Sequence, residues 1–391
     1  MIPLMKNAFT HEVETKKALA DFIVSTEKLS MGSKCYEFEC NFSSVQGRNE
    51  GILFNSGGSA NLALLQSLRN LGRINVGSKI GFTALTWSTN VMPIIQLGMI
   101  PVAIDCNTST LNVMSSNLLK SLEETSIDVL FITNVLGFSG DLAEIKDICK
   151  SKNIILIEDN CEALGTVLSE GRTGNFGVAS TFSFFVAHHM STIEGGMVCT
   201  DDEELAEMLK IVRSNGWDRN LKAEQQLKLR KKNDVSTEFQ AKYTFYDLGF
   251  NLRPTEITGF IGLEQLKYLD ENISKRNSNH LRISNEIDKN PDLINVDYTH
   301  IQFLSPFAVP IVCKTKELKS YYCEQFAGAG IEIRPMISGN IQLQPFYSKY
   351  VEEMQPCPGA DFLHQNSFYC GNYPELNSMD IELIRSCLQK Y

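Results

Sequence analysis

No apolar run in these 391 residues approaches the ~20 that a membrane-spanning helix needs. The opening segment MIPLMKNAFTHEVETKK carries no secretory hydrophobic core ahead of its first acidic residues. Neither membrane insertion nor export is therefore expected, and a cytoplasmic protein is the reading. Positive charge is also short, with 36 Lys and Arg against 46 Asp and Glu and a formal net charge of −10. That balance argues against a nucleic-acid surface. Internal repeats and low-complexity segments are missing. The eleven cysteines, at 35, 40, 106, 149, 161, 199, 313, 323, 357, 370 and 387, show neither paired zinc-ribbon spacing nor a Cys/His ladder. No metal site is expected, and the thiols read as reduced and mostly buried.

What is present is an ordinary globular composition, 43% hydrophobic and 21% charged, on a chain long enough for a large core and two domains. Strand-like runs at Lys79–Phe82, Ile100–Asp105, Val129–Thr133 and Ile154–Glu158 alternate with helix-length segments, the pattern of a parallel α/β sheet. Between two of them, Asp141–Lys152 places Leu142, Ile145 and Ile148 on one helical face, with Asp141 positioned to cap the start. An amphipathic stretch from Thr255 to about Ile287 leads into segments of different rhythm, Phe303–Val312 and Gly328–Arg334. The expected division is a large α/β domain over 1–285 and a smaller α+β domain over 286–391. The basic cluster Lys228, Arg230, Lys231 and Lys232 reads as a solvated surface loop, or as the border of an anion site.

Four motifs carry chemistry. Asn55-Ser56-Gly57-Gly58-Ser59-Ala60-Asn61 leads into a helical pattern, which makes either an anion site at a helix N-terminus or a tight turn. The apolar run Ile154–Ile157 ends in Glu158 and Asp159, at the strand end where open α/β sheets bind ligands. An Asp there suits a protonated pyridine nitrogen, and Asp159 is the better candidate; a helix cap is the plain alternative. The third motif runs from Ser180 to Cys199, with Ser183-Phe184, then His188-His189, then Glu194-Gly195-Gly196-Met197-Val198. The fourth is Gly249-Phe250-Asn251-Leu252-Arg253-Pro254-Thr255-Glu256, otherwise a helix start.

Together these motifs resemble the sugar aminotransferase family of fold type I pyridoxal phosphate enzymes, across nearly the whole chain. The resemblance implies an α/β, aspartate aminotransferase-like fold with a large, mostly parallel sheet domain and a smaller C-terminal α+β domain. The family's catalytic position is a lysine; here His188 occupies it, five residues after Ser183 and six before Glu194, and no lysine occurs from 153 to 209. An imidazole cannot bind the cofactor covalently but moves protons near neutral pH. The departure is similar to the lysine-less, sugar-deoxygenating branch of the family. It implies pyridoxal or pyridoxamine 5'-phosphate held noncovalently, L-glutamate as amino donor, and a GDP-linked 4-keto-6-deoxy sugar that loses its C3 hydroxyl, with ammonia released.

Carried over residue by residue, Gly57, Gly58, Ser59 and Ser183 would cradle the cofactor phosphate, Trp87 would stack on the pyridine ring unless it is simply core, and Asp159 would face the ring nitrogen. Glu162 stands where relatives carry Gln or His near the phenolic oxygen, so one of the two should hold a proton. Asn251 would reach the phosphate of a neighbouring subunit, which implies a homodimer with shared active sites. Arg219, Arg253 and Arg334 are candidates for a diphosphate or carboxylate, and Glu332 for guanine's N–H groups. His189 is expected to point elsewhere. An ordinary sugar aminotransferase such as a GDP-perosamine synthase, and an inactive cofactor-binding regulator, are the competing readings. An iron–sulfur-dependent dehydrase is disfavoured because no cysteine lies between Cys199 and Cys313.

Overall fold

A computed structural model describes residues 1–390. Seven strands, β1 (Glu50–Phe54), β2 (Lys79–Thr83), β3 (Ile100–Ile104), β4 (Val129–Thr133), β5 (Ile155–Asp159), β6 (Ala179–Ser183) and β7 (Gly196–Thr200), form one sheet. Their order is β1-β7-β6-β5-β4-β2-β3. Strands β2 to β6 pair in parallel, and β7 runs antiparallel between β6 and β1. The four strand expectations thus hold to within a residue or so. They read as unbroken apolar runs because both faces are covered. Val129 and Phe131 of β4 pack with Leu64, Leu65 and Leu68, whereas Leu130 and Ile132 pack with Leu118, Leu142 and Ile145.

A second sheet, antiparallel throughout, is built from β8 (Leu293–Ile294), β9 (Ala308–Cys313), β10 (Ile333–Pro335) and β11 (Ser367–Gly371), in the order β8-β9-β11-β10. Its core joins Val309, Ile311 and Phe368 to Tyr322, Phe326, Ile381 and Ile384 from flanking helices. Ile2 enters the same core, and its carbonyl accepts from Glu332 N–H at 2.8 Å. The helix Leu269–Ile287 delivers Ile283 and Ile287 to this core. A three-stranded ribbon of Val167–Leu168, Gly171–Arg172 and Ile301–Phe303 ties the two sheets' segments together.

Three local expectations change. The helix Leu142–Ser151 forms, yet Asp141 does not cap it. The Asp141 carboxylate instead accepts from the Ser115 N–H at 2.7 Å, capping the helix Ser115–Glu124. The stretch 255–287 is two helices, Glu256–Leu266 and Leu269–Ile287. The basic cluster lies on a helix, Ala223–Lys232, rather than a loop; Arg230 is paired with Asp218 and Glu238.

Candidate active site

The first motif is a helix N-terminus. Ser56 is extended, and its Oγ accepts from the Ser59 N–H at 3.0 Å, starting the helix Gly57–Asn70. A Cβ on Gly57 would stand 2.7 Å from Cβ and 3.1 Å from Oγ of Ser183, and one on Gly58 would stand 2.9 Å from Thr89 Cγ2. Glycine at 57 lets the helix end meet the end of β6, and glycine at 58 lets it pack against Thr89. First-turn N–H groups lack intrahelical partners and carry the positive end of the helix dipole, so the place suits an anion.

The adjacent carboxylates Glu158 and Asp159 have different work. Glu158 is fully buried and accepts from the backbone N–H groups of Gly174, Phe176 and Gly177 at 2.7, 2.8 and 2.8 Å. It organises the turn before β6. Asp159 closes β5 at the sheet's carboxyl edge, 4% exposed. Its Oδ2 accepts from Asn90 at 2.7 Å and Asn61 at 3.0 Å, and its Oδ1 from the Cys161 N–H at 2.9 Å. A carboxylate offers about four acceptor positions, so one remains for a further N–H donor. Asn61 closes the first motif and Asn90 lies three residues after Trp87, but nothing in their spacing marked them as the orienting pair.

Glu162 accepts from the Leu136 N–H at 2.8 Å. Leu136 holds φ 54°, an unfavourable left-handed angle for leucine that aims this N–H at the carboxyl group. Burial raises Glu162 to about 8; Asp159's charge adds to this and the Leu136 N–H opposes it. The carboxyl group is therefore mainly protonated at neutral pH, as the sequence reading required of one partner. Tyr369 of β11, unmarked by the sequence, is also raised, first by burial and then by Glu162's charge, so its phenol keeps its proton. It sits opposite Arg334 in the β10–β11 register.

His188 lies in the loop between β6 and β7, its ring 5.2 Å from that of Phe307. Burial, and then the Arg276 guanidinium, lower its pKa to about 3. The sequence implied an imidazole that moves protons near neutral pH; here its surroundings favour the neutral form. Arg276, 2% exposed, donates to the carbonyls of Asn372 at 2.6 Å, Phe307 at 2.8 Å and His188 at 3.2 Å. It thereby clamps the loop to the second sheet's segments. His189 does not point elsewhere as expected: its Nε2 lies 3.1 Å from the Ser305 carbonyl, and its ring, like that of His188, lies near Phe307, at 6.4 Å.

Trp87 is not core: it is 56% exposed, four residues beyond β2 at the same sheet edge. Asn251 and Arg253 touch each other, with Nε to Oδ1 at 3.0 Å, and the intervening Leu252 carbonyl accepts from the Asn55 N–H at 3.0 Å. The Asn215 N–H donates to the Phe250 carbonyl at 2.8 Å, so the first and fourth motifs and the Arg213–Arg219 segment form one neighbourhood. Arg219 lies over the Trp217 ring at 4.2 Å. Glu332 is more occupied than expected: its carboxylate takes the Leu4 N–H at 2.9 Å and pairs with Arg334. That leaves less of it for a nucleobase.

The donor set fits pyridoxal phosphate: a glycine cradle for phosphate, a fixed carboxylate with a free acceptor position for a pyridinium, an exposed indole for the ring, and a protonated carboxyl group for the phenolic oxygen. Fold and site define the fold type I class of pyridoxal phosphate enzymes, in a form without the lysine. The chain belongs to the DegT/DnrJ/EryC1/StrS aminotransferase family, whose model matches residues 10–389. It is 30% identical over 371 residues to the GDP-4-keto-6-deoxy-D-mannose 3-dehydratase of Escherichia coli O55:H7, covering 94% of this chain and 95% of that protein. A structure described as the E. coli GDP-4-keto-6-deoxy-D-mannose-3-dehydratase with bound hydrated PLP superposes with a TM-score of 0.90 at 30% identity, covering 100% of this chain and 99% of that one. Another, described as GDP-4-keto-6-deoxymannose-3-dehydratase with a trapped PLP-glutamate geminal diamine, gives 0.89 at 30% identity, with both chains covered in full.

Proposed function

We propose that this protein is a pyridoxal phosphate- and glutamate-dependent 3-dehydratase that converts GDP-4-keto-6-deoxy-D-mannose to GDP-4-keto-3,6-dideoxy-D-mannose. L-Glutamate leaves as 2-oxoglutarate, and its nitrogen is released as ammonia. The observation that carries this reading is His188 standing where the family has its lysine, inside an otherwise complete cofactor frame. When bound, the cofactor supplies an electron sink and carries the amino group from glutamate to the sugar's C4. Gly57, Gly58, Ser59 and Ser183 hold its phosphate, Asp159 its ring nitrogen, Glu162 its phenolic oxygen, and Trp87 its ring face. With His188 in place of a lysine, no amine of this chain would compete with the sugar for the noncovalently held cofactor.

His188, neutral at working pH, accepts a proton at Nε2. The protonated ring is the acid that returns the proton to the C3 oxygen, which departs as water. One imidazole thus serves as base and then acid. Arg219, Arg253 and Arg334 are the cations available for the diphosphate and the glutamate carboxylate, with Glu332 on the guanine side. The working unit is a homodimer in which the exposed Asn251 completes the neighbouring subunit's site. The chain divides into a large domain, 1–285, and a small one, 286–391, with Ile2 and Ile283 of the former contributing to the latter's core. Eleven free thiols suit a reducing, cytoplasmic setting.

The test supplies purified protein with pyridoxal phosphate, L-glutamate and GDP-4-keto-6-deoxy-D-mannose, and follows ammonia and the sugar by mass spectrometry. Ammonia with a sugar one oxygen lighter is expected, and His188→Asn should abolish both. An amino sugar that keeps its C3 oxygen would mean an aminotransferase instead.

A further inference from the structure

A half-open pocket lined by the N-terminal segment, the His188 loop, the helix Leu269–Ile287 and the turn after β11 offers about 20 Å³ of water-accessible space. That is room for one water molecule. Five residues lining it each carry a solvent-shielded side-chain atom with no hydrogen-bond partner among the described residues: His188 Nδ1, His189 Nδ1, Asn272 Oδ1, Arg276 Nε and Glu375 Oε2. Such atoms are costly singly, and a water in the pocket that their residues line would satisfy several of them.

The chemistry of the set is unbalanced. Arg276 Nε donates, while Asn272 Oδ1 and Glu375 Oε2 accept. The His189 Nε2 faces the Ser305 carbonyl at 3.1 Å, which places its proton there and leaves Nδ1 as a third acceptor. With His188 Nδ1 as a fourth acceptor the set would be four acceptors to one donor; with Nδ1–H it is three to two, so a water can accept from Arg276 and His188 and donate to two of the acceptors. We propose that the cavity holds an ordered water that accepts the His188 Nδ1–H and donates onward to Glu375, making Glu375 the positioning residue that fixes His188 in the tautomer with its lone pair on Nε2. The titratable and charged side chains around the cavity are His188 and His189 from the loop, Arg276 from the helix and Glu375 from the turn. The other Glu375 oxygen lies 3.5 Å from the Asn7 amide.

The inference rests on the reading of His188 as acid and base, and its test separates the two. Nitrogen NMR of the cofactor-loaded enzyme labelled at its six histidines reports the tautomer directly, with the His188 signals assigned by their loss in His188→Asn. Wild type should show Nδ1 protonated. Glu375→Leu should shift His188 toward the Nε2-protonated form and lower kcat about tenfold with KM little changed, while Glu375→Gln, which keeps an acceptor, should restore most of the rate. An Nε2-protonated His188 in wild type, an unchanged tautomer in Glu375→Leu, or a dry cavity in a crystal structure of the holoenzyme would each overturn the inference. The dry cavity and the wild-type tautomer decide it even where the leucine variant does not fold. Full activity of His188→Asn would instead remove the acid–base reading and leave the tautomer result standing.

Discussion

Neighbouring carboxylates with opposite duties offer a sharp test of this site. In Glu158→Gln, one oxygen becomes an NH2 group that must face a backbone donor. The least damaging orientation sacrifices the Gly174 N–H, now bonded at 2.7 Å, with the weaker Asn134 amide contact at 3.4 Å, and keeps those of Phe176 and Gly177. Losing one charge-assisted bond and leaving a buried donor unpaired should cost about 3 kcal/mol. Asp159→Asn also loses an acceptor, facing either the Cys161 N–H or the two asparagine amides, and should cost about 1–2 kcal/mol. Cofactor affinity should move the other way. Glu158→Gln should bind pyridoxal phosphate within about threefold of wild type, whereas Asp159→Asn should lose about 2 kcal/mol or more of binding and most of its turnover. Denaturant unfolding of the cofactor-free protein gives the first pair of numbers, and fluorescence titration with pyridoxal phosphate gives the second. A Glu158→Gln variant of normal stability that fails to bind cofactor, beside an Asp159→Asn variant that binds normally, would refute the assignment.

Glu162, raised to about 8 by burial, should lose its proton as pH climbs through that value; the basic limb of the turnover profile should sit near 8 and disappear in Glu162→Gln. A Cβ at position 57 would crowd Ser183 at 2.7 Å, so Gly57→Ala should weaken cofactor binding about tenfold or more, measured by titration, with smaller change in stability. His280, buried and depressed to about 4, binds a proton in the unfolded chain below about 6.5 but not in the folded one. Its contribution to stability is therefore lost as pH falls from about 6.5 toward 4, reaching about 2 kcal/mol by pH 5. Replacing it with an apolar residue of similar volume should flatten that part of the unfolding profile.

Much of the fold was legible because parallel strands covered on both faces must be apolar throughout, and helices between them must be amphipathic. The cofactor frame was legible for a related reason: glycine pairs, a strand-end acid and a loop between strands are local features. Asp141 shows where local reading stops. Its position announced a cap, but the donor it serves belongs to a different helix, brought near only by packing. Glu332 is similar, since its partner Leu4 lies 328 residues away.

The sequence by itself determined the class of chemistry, because no packing can turn His188 into an amine. Tertiary structure alone decided how that imidazole behaves. Burial beside Arg276 favours its neutral form, and the pocket beside it is lined by residues from the N-terminal segment, the helix Leu269–Ile287 and the turn after β11, far apart in sequence. Charge states and hydrogen-bond partners depend on dielectric surroundings and on residues far apart in sequence, and these exist only once the chain has folded.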